Sequence, residues 1–389
     1  MNKINIEIKE WKAIFGICII FSSRVLGMFI VLPVFSTYGM YLKDSTIFLI
    51  GIAIGAYGFF QALFQIPYGW LSDKIGRKFV IILGLLFFLV GSCICFSSSS
   101  IWGIILGRSL QGSGAISSVC MALLSDIVLE KNKTKAMGIL GISFGASFII
   151  SMVISPIIVR VFGFYGLFFI SILLSIICIL VTLYVIPFPI CSYGSIFENN
   201  EYRNFVSVFK NFDLLQLNLN IFFLHLLLIL NFIQIPVQLY IYENLLISSW
   251  MIYLITIIIS FFVVFPISRY VEYKKCEKYI IVLSIIVLML SDFIFLLLRN
   301  NCLLLILGLQ MFFIVFSFLE MVLPVLVSRT APKCYKGTAM AIYSISQFLG
   351  SSIGSVAGGL ILNCYGINFL FLFELFITFL WFIINVRNL

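Results

Sequence analysis

Apolar residues in this chain fall in long unbroken runs, not at alternating positions. Twelve runs are membrane-length, at roughly 11–34, 46–71, 79–98, 101–128, 136–160, 164–186, 214–241, 247–269, 279–298, 302–327, 338–362 and 368–386. A helix needs about 20 apolar residues to cross a bilayer core, whereas barrel strands alternate over about 10. The pattern predicts an all-α membrane protein with twelve transmembrane helices, here numbered spans 1 to 12. Span 7 is the least regular, because Asn231 and Pro236 interrupt it. The polar stretch from Pro187 to Asp213 predicts a cytoplasmic linker over 187–213, between an N-terminal six-helix bundle at 1–186 and a C-terminal one at 214–389. The first run, Trp11 to Pro33, is too long for a signal peptide and lacks a small-residue cleavage site, so it is expected to stay as a spanning helix.

Composition agrees with that pattern. Charged residues make up 10% of the 389 positions, against about 25% in soluble domains. The net charge of +9 could suggest a nucleic-acid partner, but its placement follows membrane topology. With the N-terminus inside, only Lys43, Arg160 and Arg299 face outside, and Arg24 and Arg108 stay in the membrane. All other lysines and arginines fall inside, which predicts cytoplasmic termini and no nucleic-acid partner. The ten cysteines lie mostly within apolar runs and lack metal-ligand spacing, so free thiols are expected, with no metal site and no cofactor. No phosphate-binding G-x-x-x-x-G-K-[ST] run occurs, and no nucleophile–base pair suggests an enzyme.

The halves echo each other. Shifted by 203 residues, Leu123, Ser125, Lys133, Ala136, Met137, Ile139, Ile142 and Ser143 fall on Leu326, Ser328, Lys336, Ala339, Met340, Ile342, Ile345 and Ser346. Two bundles in the same orientation would form a parallel pseudo-repeat.

The stretch from Gly69 to Lys78, Gly-Trp-Leu-Ser-Asp-Lys-Ile-Gly-Arg-Lys, joins two of these runs through a tight polar turn. Gly69 would permit close backbone approach, and Gly76 a positive φ in the turn. Asp73 and Arg77 are spaced to pair at i, i+4. Within span 4, Leu106-Gly-Arg-Ser-Leu-Gln-Gly-Ser-Gly-Ala115 puts Arg108, Gln111, Gly112 and Ala115 on one helical face. An arginine at that depth costs about 2.5–3.5 kcal/mol or more unless it snorkels, pairs or meets water. These two stretches resemble the signatures G-x-x-x-D-x-x-G-R-[RK] and R-x-x-Q-G-x-G of the major facilitator superfamily, in its drug-exporter-like form. Arg24-Val-Leu-Gly-Met-Phe, Trp102-Gly-Ile-Ile-Leu-Gly-Arg and Lys336-Gly-Thr-Ala-Met are similar to one group of bacterial inner-membrane transporters within it. Members of that group can carry a small soluble domain after span 12, and its function is not expected of a chain that stops at Leu389.

The resemblance implies the major facilitator fold and several site residues. It implies a charge cluster of Asp73, Arg77 and Asp126, with Gly69 and Gly76 in its loop. That cluster would act as a conformational latch, with Asp73 facing the start of span 11; the alternative is a set of solvated loop charges. It implies a role for Arg108 in proton coupling; the alternative is a structural arginine holding backbone carbonyls. The superfamily lines its central cavity with spans 1, 4, 7 and 10, which here carry Arg24, Arg108, His225 and Glu320. His225, the sole histidine, has a reference pKa suited to proton exchange. Charge is costly in a low dielectric, so Glu320 is the first candidate for a carried proton and His225 the second. Either could instead be a satisfied internal polar group. Asp292 and Glu374, on outer spans, are read as structural. Gly138, Gly141 and Gly145 in span 5, followed by Ser155-Pro156 where exporters of the superfamily usually carry Gly-Pro, suggest helix packing.

The function implied is secondary active transport by alternating access, as proton-coupled export of a small amphiphilic molecule. Its partners would be a small-molecule substrate, protons and the lipid bilayer, and the chain would act as a monomer in the bacterial inner membrane. Facilitated diffusion or uptake of a metabolite, and a non-transporting sensor, are the alternatives.

Overall fold

The computed structural model describes residues 2–187, 211–242, 249–274, 277–298, 301–331 and 336–387. The expected linker, apart from 187 and 211–213, lies outside the described residues. Among the described residues, twelve helices are long and apolar enough to cross a membrane. Apolar runs of this length fold as helices because hydrocarbon offers no partner for a free N–H or C=O.

Span 1 comprises helices Asn2–Phe29 and Leu32–Tyr38, and span 4 comprises Ile101–Ser113 and Ser117–Ile127. Spans 2, 3, 5 and 6 are Ile47–Ile75, Arg77–Ser97, Glu130–Phe162 and Gly166–Tyr184. Spans 7 to 9 are Phe212–Tyr242, Ser249–Lys274 and Glu277–Leu298. Spans 10 to 12 are Cys302–Thr330, Lys336–Tyr365 and Ile367–Val386. The interruptions at 30–31 and 114–116 depart from the continuous helices that hydropathy alone predicts. Pro236, by contrast, sits inside span 7 without ending it.

The chain forms two compact units. The first holds Met1–Pro33, Leu42–Asp44 and Ala56–Asn200; the second holds Val34–Tyr41, Ser45–Gly55 and Glu201–Leu389. The expected halves supply most of each unit, while two short segments from the first half group with the second unit.

In the first unit, span 3 packs on spans 4 and 6, and span 1 packs on spans 5 and 6. Small residues permit the approach of spans 3 and 4: a Cβ on Gly91 would fall 2.5 Å from Gly107 O and 2.7 Å from Gln111 N. Glu10 joins span 1 to the start of span 5, accepting from Leu129 N at 2.7 Å and Asn132 Nδ2 at 2.9 Å. The Leu129 N-cap side chain cannot cap its own helix, so a carboxylate from a neighbouring span does so.

In the second unit, span 7 packs on spans 10, 11 and 12. Gly350 and Gly354 let span 11 lie directly on the span 7 backbone at Phe222 and Leu226. Gly51 meets Gly359 in the same manner, where a Cβ would fall 3.0 Å from the facing Cα. Not every glycine predicted to pack does so. At Gly69, Gly138, Gly141 and Gly145 a Cβ would meet nothing within 4 Å. The expectations of close approach at Gly69 and of helix packing through the span 5 glycines are corrected accordingly: glycine spacing records where a helix is smooth, not whether a neighbour fills the groove. Pro156 lies within span 5, which continues through it to Phe162.

Candidate functional site

The loop after span 2 brings its charges together. Span 2 ends at Ile75 and span 3 begins at Arg77, leaving Gly76 as the only hinge. Gly76 takes φ 106°, a value that L side chains rarely adopt, as its place in the turn predicts. This sharp reversal sets Arg77 beside the preceding helical turn. Its guanidinium pairs with Asp73, donates to Ser72 Oγ at 2.5 Å, and reaches Asp126 Oδ2 at 3.2 Å. Ser72 Oγ in turn donates to Gly69 O at 2.7 Å. The carboxyl side chains of Asp73 and Asp126 are 41% and 37% exposed, so solvent screens both pairs. One arginine thus faces both acids.

Deeper in the first unit, Arg24 and Arg108 brace each other's helices. A helical carbonyl normally accepts from the N–H four residues later. The break at 30–31 removes that partner from Gly27 and Met28, and the break at 114–116 disturbs it for Gln111. Arg108 of span 4 donates to Gly27 O at 3.2 Å and Met28 O at 3.4 Å, in span 1. Arg24 of span 1 donates to Gln111 O at 3.0 Å, in span 4. Each arginine therefore serves the interrupted ladder of the other span.

Neutral groups complete this cluster. Gln61 Oε1 accepts from Arg24 at 2.9 Å, and Gln111 Oε1 accepts from Arg108 at 3.0 Å. Gln111 Nε2 donates to Ser92 Oγ at 2.8 Å, which fixes the amide's orientation. Arg24 stacks over Phe88 at 4.5 Å and Arg108 over Tyr57 at 4.6 Å. Both arginines are buried, and neither pairs with a carboxylate among the described residues.

In the second unit, His225 of span 7, Glu320 of span 10 and Gln347 of span 11 meet. The Gln347 amide lies 2.8 Å from His225 Nε2 and donates to Glu320 Oε1 at 3.2 Å. His225 Nε2 is 3.8 Å from Glu320 Oε2. With the amide nitrogen donating to both, His225 Nε2 carries the lone pair and the ring is neutral. A proton arriving on Nε2 would displace the amide and face Glu320 directly. The structure thus brings His225 and Glu320 together through Gln347, a residue that the sequence did not single out. Nothing in the spacing of Gln347 marks it, since its partners lie on two other spans.

Asp292 of span 9 and Glu374 of span 12 are also buried, alongside Gln234 of span 7 and Thr378 of span 12. The sequence placed these acids apart as structural residues; tertiary packing brings them into one group.

A family model described as Major Facilitator Superfamily matches residues 13–318. An "Uncharacterized transporter" of Buchnera aphidicola subsp. Baizongia pistaciae (strain Bp) is 50% identical over 392 aligned residues, covering 100% of each chain. The "Inner membrane transport protein YajR" of Escherichia coli (strain K12) is 44% identical over 92% of this chain and 79% of its own length. Among solved structures, that of a D-xylose-proton symporter superposes with a TM-score of 0.76 over 98% of this chain and 97% of the other, at 12% identity, which reflects shared fold alone.

Proposed function

We propose that this chain, which belongs to the Major Facilitator Superfamily, couples inward proton flow to export of a small amphiphilic molecule by alternating access. The observation that carries the proton coupling is the His225–Gln347–Glu320 group. It joins the sole histidine to an acid within spanning helices, through one amide that must let go when the histidine is protonated. Protonation would thereby exchange one hydrogen-bonded arrangement for another, which is what an alternating carrier needs to bias its two states.

The Asp73–Arg77–Asp126 cluster serves in this reading as the latch, with Gly69 and Gly76 in its loop. The Asp73 carboxylate, 41% exposed, suits a transient partner such as a helix N-terminus. Export is favoured by the resemblance of the span 4 run to exporter signatures. The distribution of lysine and arginine supports cytoplasmic termini, and the name of the Escherichia coli relative supports the inner membrane. A second feature narrows the substrate: two buried guanidiniums without a carboxylate partner among the described residues favour a molecule that carries an anionic group.

The test is reconstitution in liposomes with an internal pH dye, an imposed pH gradient, and a panel of organic anions, lipophilic cations, sugars and amino acids. The expected result is substrate-triggered proton flux that is lost in Glu320→Gln while membrane insertion is normal. Substrate movement without proton flux would replace this reading with facilitated diffusion and return Glu320 to a structural role.

A further inference from the structure

We propose that Asp292 and Glu374 form a proton-binding site enclosed within the second unit, with Gln234 and Thr378 as its neutral partners. Asp292 is 1% exposed, and Glu374, Gln234 and Thr378 are each fully buried. They converge from spans 7, 9 and 12, with spans 7 and 9 each packed on span 12.

The hydrogen-bond inventory does not close with both acids ionised. An ionised carboxylate accepts at two oxygens and offers no donor. Asp292 has one contact, from Thr378 Oγ1 at 2.8 Å on Oδ2, and Oδ1 has none. Thr378 carries a single hydroxyl proton, and its Oγ1 also lies 2.8 Å from Glu374 O and 3.1 Å from Leu375 O. When that proton follows the helix and goes to a backbone carbonyl, the contact with Asp292 needs a proton on the acid. Glu374 Oε1 likewise has no donor.

Gln234 supplies an independent sign. Its Oε1 is buried without a donor, while its Nε2 lies 2.5 Å from Glu374 Oε2. That separation is short for N–H···O and normal for O–H···O. With the amide turned over, a proton on Glu374 Oε2 donates to Gln234 Oε1. One proton then accounts for the short separation and gives the amide oxygen a donor, the amide N–H groups taking the position that has no partner.

Among the described residues no cation offsets the acids instead, since neither makes an ion pair there. The helices packed against the pair carry Asp213 and His225 (span 7), Tyr253, Arg269 and Lys274 (span 8), Lys278 (span 9), Glu320 and Arg329 (span 10), Lys336 and Tyr343 (span 11), and Arg387 (span 12). The lysines, the arginines and Asp213 sit near the ends of their helices. His225 lies nine residues from Gln234 on the same helix, about 13 Å of rise, so its group is a separate one. The inference therefore does not depend on the role given above to His225 and Glu320.

The test is infrared spectroscopy of the full chain in lipid at neutral pH, reading the carbonyl stretch of protonated acids. The protein is made with carbon-13 at the aspartate side-chain carboxyl, and separately at the glutamate one. Asp44, Asp73, Asp126 and Asp213 are exposed, so a protonated-acid band shifted by the aspartate label belongs to Asp292. The labels leave the protein unaltered, so this reading does not require a variant to fold. The expected result is a band that shifts with one label or both, survives in Glu320→Gln, and is lost in Asp292→Asn/Glu374→Gln. The inference is overturned if neither label moves such a band, or if every labelled band that survives Glu320→Gln also survives the double substitution. It is overturned equally if sodium chloride at constant pH abolishes the band, since the pair would then hold a metal cation.

Discussion

Arg108 invites substitution because the forces on it oppose each other. Replacing it with methionine removes a buried charge, which relieves about 2.5–3.5 kcal/mol at mid-membrane. The same change leaves Gly27 O and Met28 O without the donors they have at 3.2 and 3.4 Å. Each orphaned carbonyl costs about 1–3 kcal/mol, and loss of the stacking on Tyr57 adds about 0.5–2 kcal/mol. The losses outweigh the relief, so Arg108→Met is expected to destabilise by about 2 kcal/mol. Arg108→Lys should be worse, at about 3 kcal/mol or more, because it keeps the buried charge but loses the planar fork that reaches both carbonyls and Gln111 Oε1. Arg24→Met should be coupled to Arg108→Met, since both guanidiniums act on Gln111 and brace the same pair of spans. A coupling of about 0.5–3 kcal/mol is expected for groups in one network. The assay is reversible unfolding of the purified protein in mixed micelles, carried through the double-mutant cycle. A lysine variant as stable as the parent, or additivity within about 0.5 kcal/mol, would refute the reciprocal brace.

Asp73→Asn should lower transport while insertion and unfolding stay near the parent's, because an exposed pair contributes only about 1 kcal/mol or less; unchanged transport would remove the latch. Gly112→Ala would drive a Cβ into Tyr57 O and should cost about 1–3 kcal/mol, whereas Gly141→Ala meets open space and should be neutral or slightly stabilising, as paired thermal unfolding curves would reveal. Gly76→Ala should cost about 1–2 kcal/mol through its positive φ, read in the same way. Gln347→Leu removes the amide between His225 and Glu320 and should change the pH profile of proton-coupled flux; an unaltered profile would exclude Gln347 from that step.

The number of spans and the character of each were legible in the sequence, because a bilayer demands long apolar helices wherever the chain crosses it. So was the loop cluster. Asp73 and Arg77 lie one helical turn apart, and Gly76 stands where the backbone must reverse. Such features are local, and local spacing carries them. The breaks in spans 1 and 4 were not legible, since an interrupted helix is stable only when another span supplies donors to its stranded carbonyls, as Arg24 and Arg108 do. Gln347 and the Asp292–Glu374 group were hidden for the same reason: their partners are about 30 to 140 residues distant in sequence, and only packing sets them within hydrogen-bond reach. Among the glycines, identical spacing led to opposite results. Gly350 and Gly354 meet a backbone and Gly141 and Gly145 meet none, because a groove acts only when another helix lies in it.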